Sequence, residues 1–339
     1  MAATGNTTPP LTVGFLGAGA IAELHRRAFD DVPGIRLGGF YEPDPERRAA
    51  REKDWQVPAY PSADALVGDP RIDAVYVLSP VEHHEAQAML VLEAGKPLFV
   101  EKPVAPTPDA IARIAAVARR RNVFCMPGHN YVYDPALAPV RDALAAGEFG
   151  RVYTVAIHYA IRHDEALAAR YPGVLEQVVP HHLYTLRFLG EEPVRVAAMT
   201  TSLHYRRITQ DDQVGLLVEC RSGALGLLFA SMAADDWSAD PWTFGIKILG
   251  EKGSVGYTWR TAVVNRPRGT HPQAYLPFEA TFAHEARFFL QACRGERAVP
   301  LSTLEDAVLV EATILAARRA ATEGRTVAVE VPRAADIPS

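Results

Sequence analysis

The stretch LTVGFLGAGAIAELHRRAF, Leu11 to Phe29, decides the reading of the fold. It opens with six mostly apolar residues. The turn Gly17-Ala18-Gly19-Ala20-Ile21-Ala22 follows, and apolar residues then recur at helical spacing through Phe29. A strand that passes through a glycine turn into a helix is the context in which a GxGxx(G/A) motif binds a dinucleotide. Gly17 allows the tight turn. Gly19 lets a pyrophosphate approach the backbone at the positive end of the helix, with Ala20 and Ile21 opening that helix, and Ala22 is small enough for close packing on the sheet. The plain alternative is a tight turn with no ligand.

Outward from this motif the rhythm continues. Strands are expected at 35–41, 74–78, 97–100 and 122–126, and helices from Pro45, at 84–93 and at 108–121. Asp44-Pro45 and Thr107-Pro108 each read as an N-cap followed by proline in the first turn. Alternating strands and helices predict a parallel sheet covered on both faces, an α/β Rossmann domain. Beyond residue 150 the pattern changes. Strand-like runs at 152–160, 194–200, 214–220, 224–232 and 244–249 follow one another with little helix between them, and helical patterns lie at 180–189, 282–292 and 303–322. This predicts an α+β domain with a large, mostly antiparallel sheet. The expected organisation is a loose tail over 1–10, a dinucleotide domain over 11–127 and a second domain over 128–339.

Composition narrows the classes of function. The 339 residues are 48% hydrophobic and 22% charged, which fits a globular protein and not a disordered chain or a rod. Forty acidic residues against 35 basic ones give a net charge of −5, so nucleic acid is not an expected partner. Cys125, Cys220 and Cys293 are far apart, which suits reduced thiols and neither a disulfide framework nor a zinc site. No apolar run approaches the roughly 20 residues of a membrane span, and MAATGNTTPP lacks the features of a secretory signal. A cytoplasmic protein with no membrane partner is expected.

Glu42 stands 20 residues after Ala22, at the end of the second strand. A carboxylate there would bind the adenine-ribose hydroxyls and repel a 2′-phosphate, which favours NAD. Arg47 and Arg48 read as solvated helix positions, yet they keep NADP open as a second cofactor. At the end of another strand, Leu98-Phe99-Val100 runs into Glu101-Lys102-Pro103. An isolated Glu-Lys pair is usually surface, but this one faces the crevice at the carboxyl ends of the strands.

GAGAIA followed by EKP at this distance resembles the glucose–fructose oxidoreductase/inositol dehydrogenase/MocA family, and the resemblance runs from about Leu11 to Val331. Ser79-Pro80 with His84, Gly128-His129-Asn130 with Asp134-Pro135, and the turn Gly250-Glu251-Lys252-Gly253-Ser254 support it. The resemblance implies that Lys102 hydrogen-bonds the reacting oxygen and that Glu101 sits near the nicotinamide ribose. Ser79, Pro80 and His84 would line the cofactor channel, and Asn130 would lie near nicotinamide and substrate. Tyr131 stands where many members carry Arg. The family's substrate stretch, aligned on Leu186-Arg187-Phe188-Leu189-Gly190, puts His181 at its histidine. Gln177 and Tyr184 then replace its two carboxylates. Glu176 is one residue out of register, and Pro180 either kinks the helix or starts it.

The implied activity is interconversion of a secondary alcohol and a ketone on a sugar, aminosugar or cyclitol. Lys102 and His181 form the catalytic pair, since histidine takes up protons near neutrality and an ammonium stabilises negative oxygen. Gln177, Tyr184, Tyr131, His158 and Arg162 are expected at the substrate, the last two on one face of a strand. Asp235-Asp236-Trp237 is a further candidate loop, and His182 reads as packing. No metal is expected: His83, His84, His181 and His182 could in principle assemble a site, but adjacent histidines seldom supply two ligands to one ion. A homodimer or homotetramer is expected. The alternatives are a glycosidase-type enzyme that acts by transient oxidation and elimination, and a non-catalytic NAD-binding regulator.

Overall fold

The computed structural model describes residues 9–233, 243–258, 261–266, 269–274 and 278–332. By its contacts the chain separates into two compact units, one built on Met1–Asn130 and Glu279–Leu304, the other on Tyr131–Phe278 and Glu305–Asp336.

The first unit holds a five-stranded parallel sheet of β1 (Leu11–Leu16), β2 (Ile35–Tyr41), β3 (Ala74–Val77), β4 (Leu98–Glu101) and β5 (Cys125–Gly128). Their order is β2-β1-β3-β4-β5, so the chain reverses direction across the sheet between β1 and β3. That switch point is where such sheets bind ligands. One face is an aromatic stack: Tyr76 lies on Phe99 with centroids 4.3 Å apart, and Phe15 lies 5.6 Å from Tyr76. The capping residues act as the sequence implies. Asp44 accepts from the Arg47 N–H at 2.7 Å and Thr107 from the Ala110 N–H at 3.2 Å, each with proline in the first turn.

Two expectations shift. The fifth strand begins at Cys125 and not at Asn122, because Asn122 ends the preceding helix in the left-handed region (φ 53°). The helix Phe278–Cys293, placed by sequence in the second domain, groups with the first unit. Its Phe289 packs against Tyr76, Phe99 and Phe124, with centroids 5.0–6.2 Å apart.

The second unit holds a nine-stranded mixed sheet. Its strands are β6 (Val152–Ala160), β7 (Pro193–Thr201), β8 (Gln213–Cys220), β9 (Leu225–Ser231), β10 (Thr243–Gly250), β11 (Gly253–Thr258), β12 (Thr261–Arg266), β13 (Gly269–Ala274) and β14 (Val327–Ala328). The order is β13-β12-β11-β10-β6-β9-β8-β7-β14, and only the β6–β9 pair among these is parallel. The turn at Glu251-Lys252 joins β10 to β11 as a hairpin. Burial alternates along β8 and β9, so one face is packed and the other is exposed. Among the described residues no helix is long and apolar enough to cross a membrane.

Candidate active site

In the first unit, a cleft of about 530 Å³ lies at the carboxyl ends of β1, β2 and β3, lined by Gly17, Gly19, Glu42, Arg47, Ser79 and Pro80 among others. Gly17 has φ +101°, and a Cβ there would stand 2.7 Å from the backbone of Leu78 and Ser79. Glycine is therefore required by both conformation and space. Gly19 differs. It caps the helix Ala20–Asp30 with ordinary φ, makes no side-chain cap bond, and a Cβ on it would meet nothing within 4 Å. The helix start thus opens onto free space at Gly19, an arrangement that suits a pyrophosphate at the first-turn N–H groups.

Glu42 closes the other end. Buried, it accepts from the Ala18 N–H (3.0 Å), the Asp44 N–H (3.0 Å) and the Arg47 guanidinium (3.2 Å). It ties the glycine turn to the end of β2. The guanidinium of Arg47, half in solvent, is held at the same carboxylate, so a cation stands at the Glu42 end of the cleft, where sequence reading expects a solvated side chain.

Ser79 and Pro80 line the cleft, and the Ser79 hydroxyl donates to Gln87 Oε1 at 2.7 Å. His84 does not line it. Its buried ring lies between the Ser79 carbonyl oxygen (2.6 Å) and the Pro103 carbonyl oxygen (2.9 Å). Burial pushes its pKa down, against the pull of those carbonyls. His84 is a tie between two strand-end loops, and the neighbours facing the cleft are His83 and Gln87. Sequence reading names His83 only as a candidate metal ligand and does not single out Gln87, although their i, i+4 spacing puts them on one face.

The turn after β4 carries Glu101 and Lys102, and the Lys102–Pro103 bond is cis. Glu101 is buried rather than open to the cleft. It accepts from His25 Nε2 (3.1 Å) and from the Lys102 N–H (2.7 Å). His25 sits in a box of Tyr76, Phe99 and Phe282 rings, with centroids 5.0–5.5 Å away. Burial lowers the pKa of the Lys102 ammonium and the charge on Glu101 opposes that. Asn130 is buried, and its amide donates to Thr281 Oγ1 at 2.8 Å.

In the second unit, the helix Val179–Phe188 begins with Pro180 in its first turn, so this proline starts the helix and does not kink it. His181 and Tyr184, three residues apart, share a face, and the Tyr184 hydroxyl is hydrogen-bonded to His181 Nδ1. Tyr184 is fully buried and also accepts from the Tyr131 N–H at 3.4 Å. Tyr131 lies flat on the His181 ring. Gln177 belongs to a separate short helix, Val174–Gln177, and is half-buried. Glu176 is engaged by Arg318 at 2.6 Å. His182 is buried, and among the described residues neither ring nitrogen has a hydrogen-bond partner. Burial, helped by His158, drives its pKa down to about 3, which marks a neutral packing residue.

His158 is not part of this cluster. It pairs with Gly245 across β6 and β10, and its ring lies over that glycine. Its neighbour Tyr159 pairs with Phe244, which packs against Tyr131 and His182 on the opposite face. Strand alternation therefore turns His158 away from His181. Arg162 is exposed beyond the end of β6. Asp235-Asp236-Trp237 lies outside the described residues.

Comparison with known proteins agrees with this architecture. Residues 11–129 match the profile of an oxidoreductase family with an NAD-binding Rossmann fold, and residues 137–256 match the GFO/IDH/MocA C-terminal domain. The chain belongs to the GFO/IDH/MocA oxidoreductase family, and so is an NAD(P)-dependent dehydrogenase. Inositol 2-dehydrogenase 1 of Saccharopolyspora erythraea is 30% identical over 332 residues, covering 94% of this chain and 96% of that protein. The 1,5-anhydro-D-fructose reductase of Ensifer adhaerens is 28% identical, covering 79% of this chain and 83% of its own. Levoglucosan dehydrogenase, solved with NADH and levoglucosan, superposes with a TM-score of 0.83 at 21% identity, covering 94% of this chain and 99% of that one. At that identity the likeness speaks for the fold.

Proposed function

We propose that the protein interconverts a secondary alcohol and a ketone on a sugar, aminosugar or cyclitol. The observation that carries this is the glycine-floored cleft closed by Glu42, in a chain whose relatives of known activity act on inositol and anhydrofructose. Gly17, Gly19, Glu42 and Ser79 fit a nicotinamide dinucleotide, which when bound supplies the hydride acceptor or donor. Glu42 favours NAD, and Arg47 beside it keeps NADP accessible.

The chain's own residues supply the rest. Lys102 is the donor to the reacting oxygen, where an ammonium in a desolvated setting stabilises developing negative charge. His181 moves the hydroxyl proton. Reading these two as one pair rests on the sequence resemblance. The side chains around His181 are neutral, with Tyr131 where the resemblance puts an arginine and the half-buried Gln177 as an amide, which suits a polyhydroxylated substrate better than a carboxylate that would recruit a bidentate arginine.

The test is to incubate the protein with NAD and a panel of sugars and cyclitols and follow NADH absorbance. Lys102→Ala and His181→Ala should each lower kcat by about 100- to 10,000-fold and leave NAD binding intact. Substrate cleavage with no net NADH would favour the elimination chemistry. NAD binding with no turnover of any kind would favour a regulator.

We also propose that the exposed sheet face joins two copies of this chain. Met199, Leu217, Leu225, Leu227, Phe229 and Leu249 are each more than a third exposed on it, with charges such as Arg195–Glu219 towards the rim. An apolar face with a charged border buries that surface when a second copy packs on it about a two-fold axis. Light scattering should give a dimer or a multiple of it, and Leu227→Glu with Phe229→Glu should yield monomer.

A further inference from the structure

Tyr184 occupies the position at which the resemblance puts a carboxylate, and its hydroxyl is bonded to His181 Nδ1. The contact is built in by the fold. The two residues are one helical turn apart, the Tyr131 ring covers His181, and the Tyr131 backbone N–H reaches the same hydroxyl oxygen at 3.4 Å. A phenol can serve either tautomer of the ring. If its O–H donated to Nδ1, the ring proton would sit on Nε2, and that nitrogen could not accept a proton from a substrate hydroxyl. If Nδ1–H donates to the phenol oxygen, Nε2 keeps its lone pair.

Only the second arrangement survives the reaction. As the substrate O–H bond breaks, an Nε2–H bond forms and the oxygen keeps the electron pair; an oxidised nicotinamide, when bound, would take the hydride from the carbon. The ring is then an imidazolium with two N–H groups, and Nδ1 must still donate. With Nδ1–H on Tyr184 from the start, the bond persists through proton transfer and nothing at this end of the ring reorganises. The Tyr131 N–H on the same oxygen directs a second donor at it and so favours its role as acceptor.

We propose that Tyr184 is a positioning residue that holds His181 in its Nδ1–H tautomer, with Nε2 as the base, and that it does so without the negative charge of the carboxylate it replaces. The inference rests on the reading of His181 as the proton-moving group. A carboxylate stabilises the imidazolium and raises its pKa, whereas a neutral phenol lacks that charge. The ring should therefore stay deprotonated, and oxidation should stay fast, to lower pH than with an acid at this position.

The test uses Tyr184→Phe, which keeps the ring and removes one oxygen, and Tyr184→Asp, which restores the carboxylate. Tyr184→Phe should lower kcat by about 10- to 100-fold with KM and NAD affinity little changed. Tyr184→Asp should recover much of that loss and move the acid limb of the kcat profile to higher pH. In the protein without cofactor, nitrogen-15 NMR of the His181 ring should show the Nδ1–H tautomer in wild type and a mixture in Tyr184→Phe. A Nε2–H ring in wild type would overturn the proposal. So would wild-type kcat and an unchanged pH profile in Tyr184→Phe while His181→Ala is inactive. Activity in His181→Ala would instead sink the reading of His181 as the base.

Discussion

Tyr131 lies flat against His181, with ring centroids 4.2 Å apart and planes 19° from parallel. The stack fixes the plane in which the imidazole can turn, and Phe244 braces Tyr131 edge-on at 4.8 Å. Tyr131 is thus a structural wall of the histidine cluster. Tyr131→Ala should cost about 3–5 kcal/mol of stability, as for other large buried aromatics. Urea unfolding checks this.

Gly17 and Gly19 should respond differently to the same added methyl group. At Gly17 a Cβ would press on the backbone of Leu78 at 2.7 Å with φ at +101°, so Gly17→Ala should lower the melting temperature and abolish NAD binding. At Gly19 the Cβ would meet only open space, so Gly19→Ala should melt like wild type and still bind NAD at least 10-fold more weakly. Calorimetry of both variants, with and without NAD, decides the matter. Equal melting temperatures would contradict the steric argument.

Glu42 and Arg47 set cofactor choice together. Glu42→Ala removes the charge that opposes a 2′-phosphate and releases Arg47. Affinity for NADP should rise and affinity for NAD should fall. Arg47→Ala on that background should remove the gain. Fluorescence titrations with both cofactors provide the measurement, and unchanged preference in Glu42→Ala would refute the assignment.

His182 should make the fold acid-sensitive. Its pKa is about 3 in the folded protein and 6.5 as an ordinary histidine, so the unfolded chain binds the extra proton between those values. Stability from this residue is complete above about 6.5 and falls with pH, by up to about 1.4 kcal/mol per unit, until about 3. His182→Leu should flatten that slope in chemical unfolding while leaving turnover within a few-fold of wild type. Loss of turnover there, with His181→Ala active, would exchange the roles of the two histidines.

Glu285 has the opposite sign. Buried on the helix face between Phe282 and Phe289, with neither oxygen hydrogen-bonded among the described residues, its carboxyl is held well above the usual 4.5 by burial and then by the charge of Glu101. The folded protein keeps a proton that the unfolded chain releases, so this residue lowers stability as pH rises above about 4.5. Glu285→Gln should gain on wild type as pH is raised from 5 to 8, on the order of 1 kcal/mol or more. A difference independent of pH would show that Glu285 is ionised in the fold.

Much of this protein is local in origin and therefore legible in one dimension. The glycine turn between β1 and its helix, the Asp44 and Thr107 caps and the alternation along β8 and β9 depend on residues within a few positions of each other. Their steric and hydrogen-bonding demands are written in sequence order. Gly17 could be assigned its turn because only glycine tolerates that φ, and Glu42 its strand end because it lies a set distance along the chain.

Other features required the tertiary structure, because they depend on contacts between distant positions. The helix Phe278–Cys293 joins the first unit through Phe289 on Tyr76 and Phe99, a pairing that no local pattern encodes. His84 carries a sequence signal for the cofactor channel, yet its ring is spent on two carbonyls, one of them 19 residues away. His158 fits a substrate face until the packing of Phe244 and Tyr159 shows which side of β6 is covered. Tyr184 read as a lost carboxylate, and only its hydrogen bond to His181 under the Tyr131 ring reveals what stands in its place. Periodicity states that a strand has two faces; which face is buried is decided by what the rest of the chain packs against it.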